Sequence, residues 1–254
     1  RYVNFAGGLK KATAMSIFGV GGSLGFALGP LLITTSVLHW GLEGSIVMLV
    51  PASLTILLML TQSSSFESLE KIENVVVAHK ESAPKKDNWN AFIKLTLTIV
   101  GKSIVFYGLI TFIPLYWVKV LHQSETAGAA ALTVFSMSGV IGTLLGGKLA
   151  DRFGHVKIII LGCVCLSPCL PALAWFDNVH IATLLLIPTG AFLLMTYGPT
   201  IVSGQKYLPN HIGFSSGMTL GVAFSIGGLV APLLGSVADH YGIWFVLAST
   251  SCET

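Results

Sequence analysis

Charged side chains are scarce in this sequence. Lys, Arg, Asp and Glu together supply 10% of its 254 residues, against 53% for the hydrophobic types. A water-soluble domain carries roughly 25% charged residues, so this chain lacks the means to cover a solvated surface. Cysteine is also sparse: Cys163, Cys165 and Cys169 share one apolar block with no His or carboxylate nearby, and Cys252 stands apart. A metal site needs more ligands at tighter, polar spacing. The thiols therefore read as small packing residues, and no metal is expected. Ser-His-Asp, phosphate-loop and nucleic-acid signatures are absent, so neither a cofactor nor a nucleic-acid partner is expected. An enzyme would need a polar cluster at one membrane face, and the sequence offers none. The alternating strands of a membrane barrel are missing too. The chain opens at Arg1 in a basic stretch, without an initiating Met or a signal-peptide pattern, and reads as cut from a longer protein.

What is present is apolar length. Blocks run over about 13–37, 45–60, 91–118, 126–149, 158–175, 181–201 and 213–238, with an eighth starting near Ile243 and cut off at Thr254. Such blocks suit a hydrocarbon core of ~30 Å. Backbone polar groups inside a bilayer must be satisfied within the segment, so the blocks are expected to be helices. The 28 glycines suit close helix packing in membranes. The fold class is therefore an all-α, polytopic membrane bundle. Gln62 to Asn90 is the one long hydrophilic segment, which makes it the candidate linker.

Lys and Arg set the orientation. With the start placed inside, the inner segments hold Arg1, Lys10, Lys11, Lys71, Lys80, Lys85, Lys86, Lys148, Arg152, Lys157 and Lys206, and the outer turns hold only Lys119. This is a strong positive-inside bias. Trp40, Trp117 and Trp175 fall at expected span ends, as an aromatic belt requires.

An internal repeat fixes the larger plan. Gly19 to Leu32 aligns without gaps on Gly221 to Leu234, and His39-Trp40-Gly41-Leu42 continues the match on His240-Tyr241-Gly242-Ile243. The two blocks lie six spans apart, so the unit is six helices in parallel repetition. On this reading residues 1–61 end one half as its fifth and sixth helices, 62–90 link the halves, and 91–254 form the second half with its last helix cut short. Four helices are expected ahead of Arg1.

Between the fourth and fifth blocks stands Gly147-Lys148-Leu149-Ala150-Asp151-Arg152-Phe153-Gly154-His155-Val156-Lys157. Its glycines let helices turn and approach. Asp151 can cap or bridge a neighbouring helix end, and Arg152 can pair across the interface between halves. The segment resembles the signature cytoplasmic loop of the major facilitator superfamily, a family of twelve-helix transporters, although His155-Val156 stand where two basic residues are common. The resemblance implies a gating role for Gly147, Asp151, Arg152, Gly154 and Lys157: holding one state closed and breaking during switching. Gly21-x3-Gly25-x3-Gly29-Pro30 resembles the family's fifth-helix motif of antiporters, and simple close packing explains it as well. Within the superfamily the chain is similar to the fosmidomycin resistance protein group, through Ala14 to Gly22, Leu208 to Gly213, and Gly227-Gly228-Leu229 through Asp239-His240. That likeness implies a proton-driven exporter of the bacterial inner membrane and leaves the substrate open.

Lys102 stands near the middle of the third block. A central Lys costs ~2.5–3.5 kcal/mol to insert, so it is expected to face a cavity or to pair internally. It can bind an anionic substrate, respond to proton movement, or pair structurally with a carboxylate elsewhere. Phe106 and Tyr107, and more weakly Tyr197 and Gln205, are candidates for the same cavity. Ser138-x3-Gly142-x3-Gly146 reads mainly as a packing stripe. The expected function is proton-coupled export of a small, anionic or drug-like compound by alternating access. A symporter or facilitator in the same fold is the alternative, and a receptor or enzyme is a distant one. The expected partners are that compound, protons, the lipid bilayer and the helices that precede Arg1.

Overall fold

The computed structural model of the chain describes residues 10–61, 86–175 and 178–241. Among them are α1 (Lys11–Trp40), a 3-10 helix (Gly41–Met48), α2 (Leu49–Thr61), α3 (Trp89–Lys119), α4 (Glu125–Phe153), α5 (His155–Trp175), α6 (Val179–Leu194), α7 (Tyr197–Tyr207) and α8 (Ile212–Tyr241). No strand occurs among the described residues. Five helical stretches among these residues are long and apolar enough to cross a membrane. The linker from 62 to 85 and the eighth apolar block lie outside the described residues.

Local chemistry starts and stops these helices. The Asn88 side chain accepts the Ala91 N–H (3.1 Å), Ser124 accepts that of Ala127 (3.2 Å), and Asn178 accepts that of His180 (2.9 Å). Each cap satisfies a first-turn donor that has no partner in its own helix. Gly154, at φ +104°, ends α4 and turns the chain directly into α5. A side chain there would be strained. The two helices that the sequence repeat pairs, α1 and α8, are 30 residues each.

One end of the bundle gathers the basic residues. Asp151, near the end of α4, bonds the start of α1. The Asn88 N–H before α3 donates to the Tyr207 carbonyl at the end of α7 (2.8 Å), and the Asn210 N–H donates to Asp87 (3.2 Å). These bonds bring Lys10, Lys11, Lys86, Lys148, Arg152, Lys157 and Lys206 to one face, the arrangement the positive-inside pattern requires.

The main core lies toward the other end, where Val105, Leu109, Phe112 and Tyr116 of α3 meet Phe135 of α4, Leu166 and Leu170 of α5, and Leu186 of α6. Trp117 is buried in this core at 2% exposure instead of standing in the aromatic belt, whereas Trp40 and Trp175 are exposed. Outward positions such as Leu97, Ile141, Val164 and Leu184 are apolar and exposed, as lipid-facing surfaces are.

Small residues set the closest helix contact. A methyl group added at Gly142 would overlap the Ala191 backbone, one at Gly146 the Met195 carbonyl, and one at Gly190 the Phe135 carbonyl. The stripe Ser138, Gly142, Gly146 is thus the face of α4 that lies on α6.

Two apolar blocks are locally irregular within their spans. Gly41, at φ +65°, ends α1, and the buried Gly44 lets the next segment fold back against the Ser36 carbonyl, so α-helix resumes only at Leu49. The block 181–201 is interrupted only locally, at Met195–Thr196 between α6 and α7, where both residues keep helical dihedrals. Pro199 has no N–H to return to the carbonyl of Met195, four residues earlier. That carbonyl faces Gly146, where the absence of a side chain leaves it room.

Candidate functional site

The break places a polar group at mid-span. A cavity of about 160 Å3 lies between α1, α3, the α6–α7 break and α8. On α3, Ile99, Lys102, Ser103, Phe106 and Tyr107 face it, the spacing of one helix face. Gly19, Gly22 and Ser23 of α1 form the opposite wall, Tyr197 and Thr200 come from α7, and Thr219 and Leu220 from α8. Lys102 is the one charged residue among the described lining. Its Nζ donates to the Thr196 hydroxyl, which itself donates to the Leu193 carbonyl (3.0 Å). A carbonyl freed inside a membrane helix is tolerated where it is buried in protein or lines a cavity, and the amine of Lys102 meets the helix at this irregularity.

The structure brings Lys102, Phe106, Tyr107 and Tyr197 together. The two α3 aromatics stand edge to face, with ring centroids 5.6 Å apart. Gln205 is outside this cavity: it is buried on α7 and donates to the Ser216 hydroxyl of α8 (2.9 Å). Thr196, Ser103, Thr200 and Thr219 were not singled out by the sequence. Pro199 was the available signal for Thr196, because a proline frees the carbonyl four residues before it.

A second cluster sits at the basic end. The Asp151 carboxylate accepts from the Ala12 N–H (3.1 Å), the Thr13 N–H (2.8 Å) and the Thr13 hydroxyl (2.6 Å). A residue of α4 thus caps α1, where a negative charge also meets the positive helix end. Gly147 and, on α7, Gly198 both close against Ala12 and Ser16 of α1. The Arg152 guanidinium lies over the Phe153 ring at 5.3 Å, and Lys157 is exposed at the start of α5. Gly21, Gly25 and Gly29 point into open space among the described residues, and the Pro30 side chain lies outside them.

The Asp151 bonds yield a prediction. Losing a cap and its charge-assisted bonds costs about 2 kcal/mol, roughly thirtyfold in an equilibrium. Asp151→Ala is therefore expected to raise maleimide labelling of a Ser16→Cys reporter by about that factor, in a background whose native cysteines are replaced. Equal labelling rates would show that Asp151 does not hold α1 to α4.

Apolar helices of membrane-crossing length and a basic face at one end define a multi-pass membrane protein. The chain belongs to the Major Facilitator Superfamily, whose family profile matches residues 4–232. It is 30% identical over 254 residues to the Uncharacterized MFS-type transporter YfnC of Bacillus subtilis (strain 168), covering 96% of this chain and 60% of that relative. It is 29% identical over 258 residues to the Fosmidomycin resistance protein of Escherichia coli (strain K12), covering 97% of this chain and 61% of the relative. The Proline/betaine transporter of Salmonella typhimurium is 26% identical over 176 residues, 68% of this chain and 33% of that protein. The chain spans about three-fifths of the length of the first two relatives.

Proposed function

We propose that the full-length protein is a secondary active transporter of the bacterial inner membrane that exchanges a small anionic or drug-like compound for protons by alternating access. The observation that carries this reading is Lys102, a lone charged group in the wall of an otherwise largely apolar cavity at mid-span. Charged residues at membrane depth are expensive and commonly serve a substrate or ion path. Tyr107, Tyr197, Ser103 and Thr200 add hydroxyls to one apolar pocket, the make-up of a site that takes an amphipathic ligand. The Asp151 cap serves as the cytoplasmic clasp that loosens when the cavity opens inward. The likeness to a resistance protein favours export. The likeness to a Proline/betaine transporter keeps a metabolite transporter in the same fold as the second reading.

Vesicles separate the two. Fosmidomycin is the first probe, because a relative carries its name. Inside-out vesicles holding the full-length protein, acidified within, are expected to accumulate the compound and to lose it when a protonophore is added. Accumulation only in right-side-out vesicles under an inward proton gradient would establish symport instead. Counterflow indifferent to the pH gradient would establish a facilitator.

A further inference from the structure

The ammonium of a lysine sits on a flexible four-carbon stem and has no fixed direction of its own. In a largely apolar cavity, something outside the side chain has to aim it. Two residues that do not line the cavity meet that need. Thr196, fully buried, accepts from the Lys102 Nζ through its hydroxyl. Gly162 of α5, also buried, lies against the methyl of the same threonine. We propose that Thr196 and Gly162 are positioning residues for the Lys102 amine, the glycine leaving room for the rotamer in which the threonine hydroxyl receives it. The proposal rests on the transport reading of Lys102 and extends it to α5, which supplies none of the described lining.

The reason is steric. A β-branched side chain is stiff at χ1, and a helical threonine favours rotamers that turn its hydroxyl back to a carbonyl of the preceding turn. Here the hydroxyl donates to the Leu193 carbonyl (3.0 Å). With its proton so placed, its lone pairs are left to accept from Lys102. The same rotamer sends the methyl toward α5, into the space that a side chain at Gly162 would fill. A methyl added at Gly162 would overlap Thr196 Cγ2 and stand 3.0 Å from the Phe192 carbonyl oxygen. The Thr196 backbone is poorly placed to yield, because its carbonyl accepts both the Thr200 hydroxyl (2.6 Å) and the Thr200 N–H (3.0 Å). Relief therefore falls on χ1. Turning the methyl away swings the hydroxyl off the Leu193 carbonyl and off the amine, and the lysine stem is left to sample several directions.

The full-length protein is tested as Thr196→Val, Thr196→Ser and Gly162→Ala, and as Gly162→Ala combined with Thr196→Ser or with Thr196→Ala. Lys102→Ala is the reference. Fosmidomycin uptake by inside-out vesicles, normalised to inserted protein, gives KM and the maximal rate. A second readout needs no transport: the rate at which acetic anhydride acetylates Lys102, followed by peptide mass spectrometry. Thr196→Val is expected to raise KM about fivefold and leave the maximal rate unchanged, the equivalent of ~1 kcal/mol for one hydrogen bond used in binding alone. Acetylation is expected to quicken by a similar factor. Thr196→Ser keeps the hydroxyl and stays near the parent in both readouts, whereas Gly162→Ala reproduces Thr196→Val. Both double variants remove the overlapping methyl, but only the serine keeps the hydroxyl, so only the serine is expected to restore KM and the parent acetylation rate. Equal rescue by serine and alanine would make Gly162 a packing residue and overturn the proposal. So would unchanged acetylation in Thr196→Val, or a fall in its KM, which would mark the hydroxyl as a competitor of the ligand. Full transport by Lys102→Ala, with acetylation responding as expected, would sink the transport reading and leave the positioning of the amine standing.

Discussion

Lys102→Ala is expected to abolish proton-driven transport by the full-length protein while leaving its insertion and abundance intact. Two magnitudes set this expectation. Removing a lysine from mid-span relieves ~2.5–3.5 kcal/mol of insertion cost. The partner it leaves behind, the Thr196 hydroxyl, keeps its own bond to the Leu193 carbonyl, so no buried donor is orphaned. Folding therefore loses little, and any large loss falls on function. The variant isolates the amine, because the neighbouring lining on α3 is untouched. Lys102→Arg keeps the charge but brings a planar, always protonated group with different reach. Binding without proton coupling is its expected phenotype if the amine must release a proton, and coupled transport is expected if charge alone matters. Thr196→Val removes the hydroxyl and keeps the shape, so it is expected to impair transport less than Lys102→Ala does. The measurement is probe accumulation in inside-out vesicles, normalised to inserted protein. Unchanged transport by Lys102→Ala would remove Lys102 from the mechanism and, with it, the observation on which the transport reading rests.

The parts of this architecture that could be read from sequence are those fixed by composition and by single expensive residues. Long apolar blocks with basic residues on alternate connections leave few arrangements open, and the observed bonds around Asp151, Asn88 and Asp87 close one basic face as that pattern demands. Lys102 was legible because a buried charge has few acceptable neighbours. Asp151 was legible because an acid at a helix end has few acceptable jobs. Its choice of α1 as the helix to cap is a tertiary fact that no local pattern carries. The α6–α7 break was hidden because Pro114, Pro168, Pro171 and Pro188 all sit within unbroken helices. Pro199 differs in its surroundings: Gly198 beside it packs on α1, and Gly146 across from it gives the freed carbonyl room. Proline is thus a permission to bend, and the neighbour decides whether the bend occurs. The same holds for Gln205, whose polar side chain was consistent with a cavity wall and instead ties α7 to α8.

Gly142→Leu is expected to leave no folded protein, whereas Gly21→Leu on α1 is expected to fold normally. Both glycines belong to small-residue stripes with the same four-residue spacing, so sequence alone treats them alike. The structure separates them. At Gly142 even one methyl meets the Ala191 backbone, and backbone cannot rotate aside as a flexible side chain can. Overpacking by a methylene or two costs ~1–3 kcal/mol in a core that can shift. Here the added atoms face a backbone held at close range by Gly146 and Gly190 as well, so all three contacts would have to open together. Gly142→Ala is the graded version, and a loss at or above the upper end of that range, about 3 kcal/mol or more, is expected from it. At Gly21 nothing lies within 4 Å of an added methyl among the described residues. Gly21→Ala is therefore expected to be neutral or to gain up to ~1 kcal/mol from helix propensity. Thermal unfolding of the detergent-solubilised chain, followed by fluorescence-detected size exclusion, reads all four variants on one scale. If Gly21→Leu keeps this chain folded but disrupts the full-length protein, the stripe of Gly21, Gly25 and Gly29 is a packing face for the rest of that protein. If it disrupts neither, the stripe faces lipid, and its resemblance to an antiporter motif loses its structural basis. Equal tolerance at Gly142 and Gly21 would contradict the close α4–α6 contact on which the α6–α7 break, and hence the position of Thr196 beside Lys102, depends.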